Sequence, residues 1–337
     1  MGQRANLILV ADRQYELYYS HWCANTLPRD LFWGPDHATK FVQIQRSVDE
    51  SGWLDNIWAE GGAVVDRDNK VLMLFGGEDV LYDVPLRRVY LQMLQRVWGQ
   101  WTVRWAHQGI ADLADYVAYP RYLVCSEWHD DVPDEASPLA PPERKDGTNV
   151  VGTVRLADGT VRVFPLAGSV ASYLFAGPDI VAHCPEAEAV DCERINEWCG
   201  DSFPLGGFHI DMAAKSLDYW TAFYAPEPVG AAMMWPGWQV TWHRDRYESQ
   251  VLATDGRLAF PFSSTETLQQ RVSEMLLRES RLGGVAAIRQ FTNDELAKGS
   301  KVTVNPWALR NDDLPLDRTA RERIVAFALG AVDSDSP

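Results

Sequence analysis

The chain repeats part of itself, and this feature limits its fold more than any other. Four short patterns in the N-terminal half recur in the same order, at offsets between 137 and 146 residues. Repetition at a nearly constant spacing is typical of a chain built from two similar units. The alternative is chance matching in a chain that has 14 tryptophans. The matching segments are Val10–Arg13 with Leu156–Gly159, Leu31–Asp36 with Leu174–Asp179, Gly61–Asp66 with Gly206–Asp211, and Trp98–Trp105 with Trp235–Trp242.

Each copy predicts the same series of elements. A hairpin comes first, then a short helix, a second hairpin, a longer helix and a last strand. The unit is therefore roughly ββαββαβ. We predict an α+β fold of two tandem units related by pseudo-twofold symmetry, with mostly antiparallel sheet and additional C-terminal helices. In the first copy the segments are Asn6–Val10, Tyr15–His21, Gly62–Asp66, Lys70–Phe75, helix Val84–Val97 and strand Trp101–Ala106.

The domain boundaries follow from composition. An acidic, proline-rich stretch between the copies is typical of a linker or exposed loop. Two amphipathic patterns after the second copy, Ser263–Arg281 and Asp317–Leu329, predict helices. The predicted divisions are a first repeat at 1–129, a linker at 130–149, a second repeat at 150–256 and a C-terminal helical extension at 257–337.

The charge balance excludes one large class of partner. The chain has 31 Lys and Arg against 47 Asp and Glu, a formal net charge of −16. A nucleic-acid binder needs a basic surface, so we expect no nucleic-acid partner. No segment approaches the ~18–20 apolar residues of a membrane span, so we expect no membrane partner. The five cysteines are odd in number and contain no CxxC pair, which favours a cytoplasmic protein without a disulfide framework.

The familiar catalytic and cofactor motifs are absent from the sequence. No phosphate-binding glycine loop, dinucleotide fingerprint, hydrolase elbow or zinc-protease motif occurs. The nearest metal-like cluster combines His183 and Cys184 with Cys192 and Cys199, and its spacing fits no common zinc site. We therefore predict neither a cofactor nor a metal site.

The opening stretch carries a resemblance. The residues from Met1-Gly2-Gln3-Arg4-Ala5-Asn6 through Tyr19-Ser20-His21-Trp22 resemble an uncharacterised family of bacterial proteins. The likeness extends to about Val117 and covers the N-terminal part only. It implies no activity for the chain.

The two copies differ in their polar residues, and the difference locates a candidate site. The first copy has titratable and aromatic groups where the second has small or apolar ones. We predict His21 as general base and Glu60 as its orienting group or acid, because imidazole titrates near neutral pH. Arginines bind carboxylates or phosphates, and tryptophans supply flat walls. The predicted ligand-binding residues are Trp22, Arg87, Arg88, Arg104 and Trp105. Each also has a plain structural interpretation, and core packing is favoured for the recurring tryptophans.

Three functions remain open on the sequence alone. The favoured one is a small-molecule site in the first repeat, for an anionic or aromatic ligand, with an acid/base enzyme as one version. The alternative is an acidic interaction protein, immunity-like or regulatory, that binds a basic protein. The third is a homo-oligomer formed through exposed tryptophans.

Overall fold

The computed structural model divides the chain into two compact units. The first comprises Met1–Val80, Leu86–Ser126 and Thr265–Pro337, and the second Leu81–Pro85 and Glu127–Ser264. The C-terminal helices thus group with the first unit, and most of the predicted linker at 130–149 lies outside the described residues. The described residues are 3–125, 139–143, 147–183, 189–200, 202–223, 228–278, 284–304, 306–309, 314 and 316–330.

The first unit contains a six-stranded sheet. Its strands are β1 (Ala5–Ala11), β2 (Gln14–Ser20), β3 (Arg46–Val48), β4 (Gly61–Asp66), β5 (Val71–Phe75) and β6 (Thr102–Trp105). They lie in the order β3-β2-β1-β4-β5-β6. The neighbours β1–β2, β2–β3 and β4–β5 are antiparallel, whereas β1–β4 and β5–β6 are parallel. β3 is a strand that the sequence analysis missed.

The first hairpin shows how the local sequence determines structure. Its turn residues Asp12 and Arg13 have φ of 53° and 62°, the left-handed pair that a tight two-residue turn requires. Both backbone N–H groups donate to the Asp68 carboxylate, at 3.1 and 2.8 Å. The second hairpin therefore stabilises the turn of the first.

The helices of the first unit pack on this sheet. α2 contacts β1 and β4, and α5 contacts β4. The described helices here, in chain order, are α1 (Leu27–Asp30), α2 (Pro35–Ile44), α3 (Glu78–Leu81), α4 (Val84–Trp98), α5 (Ile110–Tyr116), and then α10 (Thr265–Leu277), α11 (Gly284–Ala297) and α12 (Arg318–Leu329). The segment Leu81–Pro85, at the α3–α4 junction, groups with the second unit.

The second unit contains a five-stranded sheet. Its strands are β7 (Val150–Arg155), β8 (Val161–Leu166), β9 (Gly206–Asp211), β10 (Ser216–Thr221) and β11 (Gln239–Trp242), in the order β11-β10-β9-β7-β8. Its described helices are α6 (Val170–Leu174), α7 (Asn196–Cys199), α8 (Pro228–Met234) and α9 (Glu248–Ala253). Across the described residues of both units, no helix has the length and apolarity needed to cross a bilayer.

The two sheets share one strand connectivity. Apart from the extra edge strand β3 of the first sheet, each has a hairpin, a parallel pairing between the first strands of its two hairpins, a second hairpin, and a parallel final strand. Ala5 of β1 pairs with Gly61, and Val150 of β7 pairs with Gly206. The α+β class is therefore confirmed. The sheets are mixed, because helical crossovers join the parallel neighbours, and antiparallel pairs only slightly outnumber parallel ones.

The recurring tryptophans lie in the cores, as the packing interpretation expects. Trp98 is buried, and its indole N–H donates to the Leu31 carbonyl at 3.0 Å. Trp235 is buried too and donates to the Leu174 carbonyl at 2.7 Å. A buried indole with a satisfied N–H serves packing. These two tryptophans therefore anchor their helices within each unit.

Candidate functional site

The parallel pairing of β1 with β4 brings two charged residues together at one end of the first sheet. Arg4 directly precedes β1 and Glu60 directly precedes β4. The Glu60 carboxylate accepts a hydrogen bond from the Arg4 backbone N–H at 2.7 Å, and its Oε2 lies 3.8 Å from Arg4 Nε. The Glu60 backbone N–H donates to the Arg4 carbonyl at 3.0 Å. Sheet register therefore places Glu60, a predicted site residue, beside Arg4.

The end of β2 contributes an aromatic group and an imidazole. The Tyr19 hydroxyl lies 2.8 Å from His21 Nδ1. The Trp22 ring meets the His21 ring edge-on at a centroid distance of 4.7 Å. The His21 carbonyl accepts from the Gln3 backbone N–H at 2.9 Å, so His21 is tied to the segment that leads into β1.

Electrostatic coupling shows that these groups occupy one corner. Burial lowers the pKa of His21, and the Arg4 charge lowers it further, whereas Glu60 raises it. Burial raises the pKa of Tyr19, which both Arg4 and Glu60 also influence. His21 is therefore a neutral imidazole at pH 7. We call the set Arg4, Tyr19, His21, Trp58 and Glu60 the Arg4 corner.

The Arg4 guanidinium stacks on an aromatic ring and lies beside the Glu60 carboxylate. Its central carbon lies 4.1 Å from the centroid of Trp58, whose side chain is 50% exposed. Arg4 Nε is buried without a hydrogen-bond partner, and among the described residues none bonds the Nη atoms. A guanidinium fork in this state is suited to a carboxylate or phosphate, which it binds through two N–H groups.

A groove begins at the same tyrosine. Its volume is about 510 Å³, a size typical of small-molecule sites. The indole Nε1 of Trp53, in the groove wall, is buried without a hydrogen-bond partner. The groove walls therefore carry both polar and apolar side chains. It is lined by Tyr19, Arg46, Ser47, Val48, Asp49, Ser51, Gly52, Trp53 and Leu54.

A buried asparagine holds the loop that forms this groove. Asn6 on β1 is fully buried. Its amide donates to the carbonyls of Tyr18 and Gly52, at 3.3 and 3.0 Å. Its carbonyl accepts from the Leu54 backbone N–H at 2.7 Å. One side chain thus replaces backbone partners for three groups and links the groove loop to the sheet.

The remaining predicted residues lie elsewhere in the first unit. Arg87 is fully buried on α4, where its guanidinium stacks on Trp105 at 4.7 Å. Arg88 is half-buried on the same helix, and Arg104 is exposed on β6. Four strand spacings, about 19 Å, separate β6 from β2, because neighbouring strands lie ~4.8 Å apart. The structure therefore gathers His21, Trp22 and Glu60 at one corner, whereas Arg104 and Trp105 lie on a strand four positions from β2 and two positions from β4.

The structure also indicates residues that sequence reasoning missed. Arg4, Tyr19 and Trp58 complete the corner, and Asn6 positions the groove. The signal for Arg4 was present, because pairing β1 in parallel with β4 places the residue before one strand beside the residue before the other. That pairing could not be assumed, since the hairpins favoured an antiparallel arrangement.

The histidine and cysteines weighed in the sequence as a metal-like cluster lie only partly within the described residues. Among the described residues, no group of three His, Cys, Asp or Glu side chains is arranged to hold a metal ion. Cys184, part of the cluster weighed in the sequence, lies outside the described residues. Cys192 and Cys199 are buried, and burial raises their pKa, to about 12 for Cys199. These two thiols are therefore protonated at neutral pH.

The His21 imidazole gives the corner a direct test. We expect Arg4→Gln to raise the pKa of His21 and Glu60→Gln to lower it, because the two charges act on the imidazole with opposite sign. NMR titration of the imidazole resonances measures both shifts. The control is Arg67→Gln, at the far end of β4, which should leave the titration unchanged. Shifts of the same sign in both corner variants would contradict the arrangement.

Comparison with known proteins identifies no family for this chain. No protein-family model, no curated protein and no solved structure matches the chain.

Proposed function

We propose that the first unit binds a small molecule at the Arg4 corner, and that the ligand joins an anionic group to a flat apolar part. The observation that carries the proposal is the Arg4 guanidinium, stacked on the half-exposed Trp58 with its Nη atoms unbonded by described residues. An anion bound by Arg4 would place its apolar part against an aromatic wall.

The charge of the corner favours a singly charged ligand group. Arg4 supplies one positive charge and Glu60 one negative charge, while His21 is neutral at pH 7. A dianionic phosphate would therefore meet repulsion from Glu60. A carboxylate needs only the guanidinium fork, so a monocarboxylate is the ligand class we favour.

The groove beside Tyr19 supplies room for the rest of the ligand. Its volume of about 510 Å³ exceeds that of a bare anion. The corner and the groove share Tyr19, so one ligand can contact both.

An acid/base enzyme is the more specific version of the proposal. His21 is neutral and is oriented by the Tyr19 hydroxyl, as a general base requires. Glu60 faces the same corner and raises the pKa of His21. In this version His21 takes a proton from the bound ligand, and Glu60 stabilises the imidazolium that forms.

We also propose that the chain arose by duplication and that only the first unit kept this corner. In the second unit, Leu205 donates its backbone N–H to the Asn149 carbonyl at 2.8 Å, as Glu60 does to Arg4. The backbone arrangement is thus the same, yet the charged pair is replaced by an amide and an apolar side chain. A single corner of this kind, in the first unit, follows.

The experiment is a binding measurement with simple probes. We expect benzoate to bind more tightly than its uncharged analogue benzamide, with phenyl phosphate weaker than benzoate. Arg4→Gln should weaken benzoate at least about tenfold, because a hydrogen bond to a charged group contributes about 1.5–3 kcal/mol. Isothermal titration calorimetry gives the dissociation constants.

The matched control again replaces an arginine that lies next to β4. Arg67→Gln removes one exposed positive charge beyond the other end of β4 and should leave benzoate affinity unchanged. Equal affinities for benzoate and benzamide, or an Arg4→Gln variant that binds benzoate as the parent does, would remove the proposal.

The second candidate function is an acidic interaction protein that binds a basic partner. The net charge of −16 is the observation that favours it. A complex of this kind weakens steeply as salt is added, because exposed charges are screened. Salt-dependent association with a basic protein, in a chain that binds none of the three probes, would favour this function. Cytoplasmic localisation is proposed from the cysteine pattern alone.

A further inference from the structure

A row of polar side chains crosses the sheet of the second unit. Thr153 on β7 pairs with His209 on β9, and His209 pairs with Asp218 on β10. Residues paired in this way project from the same face of a sheet. Thr153 and His209 are both buried. The row therefore begins inside the unit and runs to Asp218, whose side chain is 31% exposed.

The same row is apolar in the first unit. There, Ile8 pairs with Val64, and Val64 pairs with Met73. Ile8 and Val64 are fully buried. A buried polar row costs free energy that an apolar row does not, because each polar atom must lose water and find a partner. Packing requirements of this strand arrangement therefore do not explain the polar row.

The hydrogen bonds around Thr153 favour one tautomer of His209. The Thr153 hydroxyl donates its one hydrogen to the Phe208 carbonyl at 3.0 Å. With that hydrogen used, Nδ1–H is the donor of the 2.9 Å contact between His209 Nδ1 and Thr153 Oγ1, a tautomer that the imidazole nitrogen shifts below test. Burial lowers the pKa of His209, so the ring is neutral at pH 7. Nε2 thus presents a lone pair, and no described residue donates a hydrogen bond to it.

A buried glutamine side chain takes part in the same hydrogen-bond network as Thr153 and Phe208. The buried Gln250 of α9 donates to the carbonyls of Val151 and Phe208, each at 2.8 Å, and lies 3.1 Å from Thr153 Oγ1. Its own carbonyl accepts from the Trp220 indole at 2.8 Å. The amide orientation is therefore determined, and the Phe208 carbonyl accepts from both Gln250 and the Thr153 hydroxyl.

The Asp218 carboxylate is paired with a second histidine, His243. His243 Nε2 lies 2.7 Å from Asp218 Oδ1, which leaves the second carboxylate oxygen without a described partner. The His243 side chain is 19% exposed, so this end of the row is open to solvent. The His243 backbone N–H donates to the Tyr219 carbonyl at 2.8 Å, which holds the imidazole beside β10.

The charges around His209 are mainly negative. The groups that act on it are Arg155, Asp218, Asp211 and Asp255. Arg155 Nη2 is already paired with Asp255 at 3.2 Å, and Arg155 Nε lies 3.9 Å from Asp211. The charged groups that act on His209 are therefore one arginine and three carboxylates. A positive ligand is favoured over a negative one.

We propose that the second unit holds a separate site for a cationic nitrogen group, an ammonium or guanidinium, bound between Asp218 and Nε2 of His209. The carboxylate accepts one N–H and neutralises the charge, and the imidazole lone pair accepts a second N–H. A bare metal ion is not the ligand, because the described residues present no metal-binding group of His, Cys, Asp or Glu. The site is independent of the Arg4 corner.

The test uses butylammonium and methylguanidinium as probes, followed by NMR of the histidine resonances of the full chain. We expect saturable shifts at His209 and His243 with both probes. Tetramethylammonium has the same charge but no N–H donors, so it should bind at least about tenfold more weakly than either probe. The Asp218→Asn variant, which lacks the carboxylate charge, should likewise bind both probes at least about tenfold more weakly than the parent does. Imidazole nitrogen shifts should also show His209 in the Nδ1–H form.

Two variants separate the site from a general charge effect. Asp191→Asn removes one exposed carboxylate near β8, at the opposite edge of this sheet, and should leave the affinity unchanged. His209→Val restores the residue that the first unit has at this position and should weaken both probes. Shifts that do not saturate, an Asp218→Asn variant that binds as the parent does, or a His209 ring in the Nε2–H form would each overturn the proposal.

Discussion

Gly207→Ala is expected to lower the free energy of unfolding by about 3 kcal/mol, since an added methyl group forces a close-packed core apart. A Cβ at Gly207 would lie 2.7 Å from Trp220 Nε1 and 2.9 Å from the Val151 carbonyl oxygen, and would press against Gln250 Oε1. These atoms belong to the hydrogen-bond network of α9, which would have to open. Urea unfolding followed by tryptophan fluorescence measures the loss.

The matched control is Gly230→Ala in α8. A Cβ there meets no heavy atom within 4 Å. Alanine favours a helix over glycine by about 0.5–1 kcal/mol, so this variant should be at least as stable as the parent. Equal stability of Gly207→Ala and the parent would show that the close approach at β9 is absent in solution.

Asn6→Ala is expected to cost about 2–3 kcal/mol, the second-largest effect. The change leaves the Gly52 carbonyl and the Leu54 N–H without their side-chain partner and removes a bond to the Tyr18 carbonyl. A buried polar group that loses its partner costs about 1–3 kcal/mol. The same unfolding measurement applies. Benzoate affinity should fall too, because the loop that lines the groove is released from β1.

Asn69→Ala is the control for this asparagine. Asn69 is exposed; its amide donates to Asp66 at 2.8 Å, and its side chain also hydrogen-bonds Tyr116. Its replacement should cost no more than about 1 kcal/mol, since the Asp66 carboxylate keeps its bonds from the Tyr116 hydroxyl and from two backbone N–H groups. An Asn6→Ala variant as stable as Asn69→Ala would mean that the loop is held by other contacts.

The secondary structure was largely accessible from local sequence. The predicted strand Asn6–Val10 corresponds to β1, and the predicted helix Val84–Val97 corresponds to α4, which ends one residue later. Turn residues and apolar periodicity act over a few positions, so they can be recognised without tertiary information. The three-residue β3 was missed because so short a strand has too few residues to show an alternation.

The candidate site was accessible only in part. His21 and Glu60 were predicted from the difference between the copies, and the structure places both at the Arg4 corner. Arg104 and Trp105 were also predicted as site residues, yet they belong to a strand four positions away from β2. Their distance from His21 depends on strand order, which residue types and spacing do not contain.

The amino-acid sequence by itself determined the elements, the α+β class and the internal correspondence between two segments. Periodicity, turn chemistry and composition are local properties, and each is written in neighbouring residues. Only the tertiary structure decided that β1 runs parallel to β4, and hence that Arg4 meets Glu60. It likewise decided that Thr153, His209 and Asp218 form one row. Arg4 and Glu60 lie 56 positions apart, as do Thr153 and His209, so only strand register, which is set by the packing of the whole sheet, brings them together.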